Sequence, residues 1–200
     1  MEGILIFLKH HFKFLWKIIE KVNALVFHLL YSGRLNKLLP VVFQQHAHPP
    51  YLYRRLDLQE EPALFRLIQK QDESDLKYFS PHGFDHKSLK QQFKNRSLLM
   101  MGAFDGEKLI GYFFLRFFAN KKCFVGRLID KEYRGKGIGL TMNKLMYETA
   151  WGMSFRCYST ISNNNKAVIK AHAKNSSMKI LKELANDYLL VEFTREETRS

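Results

Sequence analysis

The sequence predicts a mixed α/β domain, a mostly antiparallel sheet flanked by helices, with an extra amphipathic helix at its N-terminus. Three observations carry this. Hydrophobic residues make up 46% of the 200 residues and include 17 phenylalanines, enough for one sizeable core and too many for a disordered chain. Three apolar runs, 98–104, 109–118 and 123–129, follow one another through short turns, and Asp105-Gly106 between the first two is a strong hairpin signal. A basic, glycine-rich turn at 134–139 then separates the third run from a helix-patterned segment.

The N-terminal segment is apolar enough to be tested as a membrane span. Between Lys21 and Arg34 only 12 residues are free of charged side chains, and a span needs about 20. Glu2 and the interrupting lysines also make it a poor signal peptide. Lys9, Lys13, Lys17 and Lys21 recur every four residues, while Leu8, Leu15, Ile18, Ile19, Val22, Leu25, Val26, Leu29 and Leu30 form an opposite stripe. This predicts an amphipathic helix that Gly33 stops and Pro40 closes off. Its apolar face, residues 4–30, packs on its own domain or a partner subunit, or lies on an anionic membrane surface. Residues 1–45 are thus read as a helical extension, His46 to Pro50 as a linker, and 51–200 as the main domain.

Within that domain 51–58 reads as a strand and 62–70 as a helix opened by Pro62. Short helices follow at 75–79 and 87–93, broken by Ser80-Pro81-His82-Gly83. After the three-strand meander, 137–151 is helical, 156–162 a strand, 166–174 a helix, and 179–193 one or two closing strands. Cys123 and Cys157 stand alone, which suits buried thiols in a reducing, cytoplasmic setting rather than a bridge. Histidines lack ligand-like spacing, so no metal is expected. The net charge of +13 calls for an anionic partner. The basic residues outside the turn are scattered and no stacking module accompanies them, so nucleic acid is not that partner.

The turn Arg134-Gly135-Lys136-Gly137-Ile138-Gly139 narrows the anion. Glycines let the backbone fold so that several N–H groups converge, and the following helix adds its unpaired donors and positive dipole end. Such a cradle suits a pyrophosphate. A Walker A loop is excluded by spacing, and the dinucleotide fingerprint fails because Leu140 stands where its last glycine belongs. What remains is Arg, two residues, Gly, one residue, Gly.

With these residues the chain from about 51 to 193 resembles the GNAT superfamily of acyl-CoA-dependent N-acyltransferases. The segment from Leu128 to Gly139 matches its acyl-CoA motif, and Asn165, Ala167, Val168 and His172 match a second, less specific one. The resemblance implies an acetyl-CoA co-substrate and an amine acceptor. It implies that the edge of Leu128 and Ile129 pairs with the pantetheine arm, that N–H groups from Arg134 to Leu140 hold the pyrophosphate, and that the Leu128 N–H polarises the thioester carbonyl. It assigns His172 as general acid toward the leaving thiolate and Asn165 to pantetheine. Many relatives carry a carboxylate base on the strand before the motif, but none lies between Lys121 and Ile129, so the base is sought at His82 or Asp75. Ser176-Ser177 departs from the usual Gly-Phe. Tyr78, Phe79 and Phe84 suggest a walled pocket for a small primary amine, such as a nucleotide-linked amino sugar. The alternatives are a protein or peptide amine, or a catalytically weak acyl-CoA-binding module.

Overall fold

A computed structural model describes residues 13–79, 81–165, 168–169, 178–184 and 187–195. In chain order the elements are α1 (Lys13–His46), β1 (Leu52–Arg55), α2 (Glu61–Gln69), α3 (Glu73–Leu76), α4 (His86–Phe93), β2 (Leu98–Asp105), β3 (Lys108–Phe117), β4 (Lys122–Ile129), α5 (Ile138–Gly152), β5 (Arg156–Ser162), β6 (Met178–Leu184) and β7 (Tyr188–Phe193). Of the helix expected at 166–174, only 168–169 is described, and it is helical.

The strands form one sheet in the order β1-β2-β3-β4-β5-β7-β6. Every pairing is antiparallel except β4 with β5. The alternation of apolar side chains builds a core on each face. One is shared with α1 and α5 and contains Phe113, Phe117, Met142 and Phe155. The other lies under α2 and α4 and contains Leu64, Ile68, Leu89 and Tyr112. Cys123 and Cys157 are neighbours across β4 and β5, both buried and both free thiols.

Helix α1 departs from its expected length: it runs through both Gly33 and Pro40. An interior proline costs a helix about 3 kcal/mol. Here Leu35, Leu39 and Val42 are buried on the domain to either side of Pro40, and burying such side chains contributes roughly 1.5–3 kcal/mol each. Packing therefore overrides the local stop signal. The apolar positions also divide between two faces rather than forming one stripe. Phe27, 1% exposed, stacks on Phe117 with ring centres 4.7 Å apart and meets Phe155 edge-on. Ile18, Val22, Leu25 and Leu29 are exposed. Among the described residues no helix is long and apolar enough to cross a membrane.

One polar side chain fixes α1 to the sheet. Asn23 donates to the Phe117 carbonyl at 2.9 Å and to the Ser97 hydroxyl at 3.2 Å, and its Oδ1 accepts the Ala119 N–H at 2.9 Å. Asn23→Ala is expected to lower the unfolding free energy by about 1–3 kcal/mol, because the carbonyl and amide lose their partners. Chemical denaturation reads this directly.

Candidate active site

The site starts where the sheet opens. Strands β4 and β5 pair only at Lys122–Arg156, Cys123–Cys157 and Phe124–Tyr158. One step further the Ser159 hydroxyl donates to the Val125 carbonyl at 3.1 Å, taking the place of a ladder bond as the strands separate. The backbone of β4 beyond Val125 borders a gap.

Which amides face that gap follows from the other edge of β4. The Asp130 N–H donates to the Ile110 carbonyl and the Phe118 N–H to the Lys122 carbonyl, both at 2.9 Å. These bonds bracket the β3–β4 ladder, so even-numbered residues of β4 exchange hydrogen bonds with β3. Leu128, opposite Tyr112, therefore spends its N–H on β3, and it is the amides of Arg127 and Ile129 that face the gap. The Leu128 amide is thus engaged within the sheet, and the amides turned to the gap lie one residue to either side of it. Sequence shows the strand but not which of two alternating edges it bonds.

The turn after β4 is braced by Asp130, which is 1% exposed. It accepts the Glu132 N–H at 3.1 Å and the Lys70 ammonium at 3.0 Å. Burial opposes its charge, but the Glu132 amide and Lys70 outweigh it and hold the carboxyl below the usual aspartate range. Gly135 and Gly137 then take left-handed backbone angles, φ 77° and 80°, which only glycine adopts without strain. No N–H from Gly135 to Gly139 donates to a backbone carbonyl of the described residues, and α5 has no side-chain cap. Leu140 and Arg134 lie outside this set, since their N–H groups already donate to Gly137 and Lys131. The run of amides without a backbone partner is thus shorter than the 134–140 span expected to hold the pyrophosphate, and these five surround the positive end of a 15-residue helix.

The charges around it are rearranged as well. The Arg134 guanidinium turns back to α3, binding Asp75 at 3.2 and 2.7 Å and Gln71 at 3.2 Å. This pair occupies both the charge expected at the cradle and one of the two carboxylate or imidazole groups considered as a base. Lys136 remains, its ammonium 4.7 Å from the centre of the Tyr133 ring. A residue that sequence reasoning passed over is Arg127. Its side chain runs beneath the first turn of α5, where a Cβ on Gly139 would lie 3.2 Å from Nε. It is partly buried and binds the Asn143 amide oxygen, a neutral partner. Burial pulls its pKa down from the ordinary arginine value.

On the opposite face, the segment containing His82 covers the sheet beside the gap. Phe79 packs on Phe84, Phe114 and Tyr112, and a Cβ on Gly126 would lie 3.4 Å from the Phe79 ring. His82 Nδ1 lies 2.9 Å from the Gly83 carbonyl, which makes it the protonated nitrogen, so Nε2 accepts the buried Tyr112 hydroxyl at 3.0 Å. Burial lowers the His82 pKa, with Arg116 adding a smaller push in the same direction, and burial raises that of Tyr112. A neutral imidazole hydrogen-bonded to a neutral phenol results. Asn165 caps the turn at 168–169, its Oδ1 accepting the Val168 N–H at 3.2 Å. His172, Ala167, Ser176 and Ser177 lie outside the described residues.

Residues 61–176, more than half of the chain, match the sequence profile of the acetyltransferase (GNAT) family. The chain belongs to that family. GNAT acetyltransferases draw on acetyl-CoA, and this protein is an acetyl-CoA-dependent N-acetyltransferase. Solved structures share the fold. PaiA N-acetyltransferase from Thermoplasma acidophilum, in complex with coenzyme A, superposes with a TM-score of 0.62 at 17% identity, over 72% of this chain and 99% of that one. The GNAT domain of S. lividans PAT gives 0.62 at 13% identity, over 70% and 88%. Ribosomal-protein-S5-alanine acetyltransferase from Vibrio fischeri gives 0.58 at 16% identity, over 75% and 96%. Curated protein sequences yield no match.

Proposed function

We propose that this acetyltransferase acts on the primary amine of a small molecule, with a nucleotide-linked amino sugar as the class to test first. The observation that carries the reading is the aromatic pair Phe79 and Phe84, seated on the buried Tyr112 of β3, with Phe79 reaching over Gly126 of β4 beside the gap. Such a wall suits a compact acceptor, and the +13 net charge favours a phosphorylated one. Bound acetyl-CoA supplies the activated acetyl thioester. The residues fit it: the amides from Gly135 to Gly139 offer donors to a diphosphate, and those of Arg127 and Ile129 offer a strand edge to an amide-bearing arm. An amide aimed at a carbonyl oxygen stabilises charge that develops there. His82, kept neutral, takes the proton of the incoming ammonium after Nε2 releases the Tyr112 hydroxyl. His172 is retained as the proposed acid toward the thiolate and Asn165 as a donor-site residue. Turnover of amino-sugar nucleotides, polyamines and peptide N-termini, compared by kcat/KM, tests the acceptor. Turnover of peptides alone would replace the small-molecule reading with the protein-amine one.

Arg127 carries a second expectation. With Arg134 held by Asp75, it is the guanidinium nearest the cradle without an acidic partner, and we assign it to the diphosphate. Arg127→Met is expected to weaken acetyl-CoA binding about tenfold, the size of one charge-assisted hydrogen bond. Activity with S-acetylpantetheine, which lacks the diphosphate, is expected to stay unchanged. Equal losses with both donors would instead make Arg127 a wall of the gap.

A further inference from the structure

The outer face of α1 has no part in the site or the core, yet it holds much of the exposed apolar surface of the described residues. Val22 and Leu25 are each 54% exposed, Leu29 72% and Leu30 66%, with Ile18 and Ile19 beside them. Positions 18, 22, 25 and 29 recur at four, three and four, so they lie along one line of the helix. The reverse side is fixed by Phe27 and Asn23, which leaves this line pointing away from the domain. Contiguous apolar surface of this kind marks an interaction site.

We propose that this face lies flat on an anionic phospholipid bilayer. The charges decide between lipid and protein. Lys17 and Lys21 are exposed along one margin of the apolar line. The one acid in this stretch, Glu20, is neutralised by Arg116, 3.6 Å away on the sheet. The outer surface therefore pairs an apolar band with uncompensated positive charge, which is the composition of a helix that sits at a lipid headgroup boundary. A second copy of the chain on the same face would bring one row of lysines against the other. Because the inner face stays docked on the sheet, α1 lies in the interface plane and presents the whole domain to the membrane surface.

The test is flotation of the full-length protein with phosphatidylcholine vesicles made with and without phosphatidylglycerol. The protein is expected to float with the phosphatidylglycerol vesicles and to be released progressively by salt. The double change Leu25→Asp/Leu29→Asp is expected to weaken vesicle binding about tenfold or more, with the melting temperature and acetyl transfer to a soluble amine unchanged. Lys17→Glu/Lys21→Glu is expected to remove the preference for phosphatidylglycerol. Sedimentation velocity is run alongside. Failure to float, or floating that the leucine variant does not alter, overturns the proposal. A dimer that the leucine variant dissociates, with no vesicle binding, assigns the face to a second copy instead.

Discussion

Gly137→Val is expected to remove acetyl-CoA binding, with a dissociation constant raised about a hundredfold or more in calorimetric titration. Nothing lies within 4 Å of the position a Cβ would take, so the loss is not a clash with a neighbour. It comes from the backbone, whose φ of 80° costs a residue with a Cβ roughly 1–2 kcal/mol and a β-branched one more. Relaxing that angle turns the amides of Gly135 to Gly139 away from their common focus. Each amide that no longer meets a charged oxygen forfeits about 1.5–3 kcal/mol, so losing two already accounts for the expected effect. Of the turn's residues Ile138 is the one buried in the core, so the backbone strain is expected to lower the melting temperature by a few degrees at most. Gly33→Val is the control: that glycine also has open space around it, but in a helix, and donor binding is expected to persist. Unchanged binding in Gly137→Val would end the cradle assignment.

His82→Gln is expected to lower kcat/KM by about two orders of magnitude, a usual share for one proton-transfer group, with the acetyl-CoA dissociation constant unaltered. The pH profile separates a base from a mere wall. A base works deprotonated, so kcat/KM falls as pH drops through the His82 pKa. Burial depresses that pKa, which places the acid limb below the ordinary histidine value of about 6.5. The Tyr112 hydroxyl donates to the neutral ring and so favours the neutral form. Tyr112→Phe therefore raises the pKa and moves the limb to higher pH. A limb that stays in place in Tyr112→Phe, or that survives in His82→Gln, would show that another group takes the proton.

Much of this arrangement is written locally in the sequence. The β2-β3-β4 meander rests on apolar runs, near-continuous in β2 and β3, and on Asp105-Gly106, where Asp105 pairs with Lys108 across a two-residue turn. The motif turn and α5 follow from glycines at fixed spacing after an apolar strand. What stayed hidden depends on residues distant in sequence. Gly33 and Pro40 read as stops because the buried surface that holds α1 together belongs to β3, α5 and the turn at 153–155 that follows it. The pairing of Arg134 with Asp75 stayed hidden because nothing local reveals that α3 comes to lie beside the turn. Arg127 reads as an ordinary strand arginine until α5 is laid across it. The pairing of Leu128 with β3 rather than with the gap is a matter of register, which a strand pattern of period two leaves open.

The open seam between β4 and β5 has a kinetic signature. Along four successive residues the backbone alternates between amides locked into β3, at Gly126 and Leu128, and amides turned to the seam, at Arg127 and Ile129. Solvent hydrogen exchange in the free protein is then slow, fast, slow, fast through a single strand. A donor that pairs with the seam slows only the fast members of that series. Occupancy of this enzyme can be followed as every second amide of one strand falling silent.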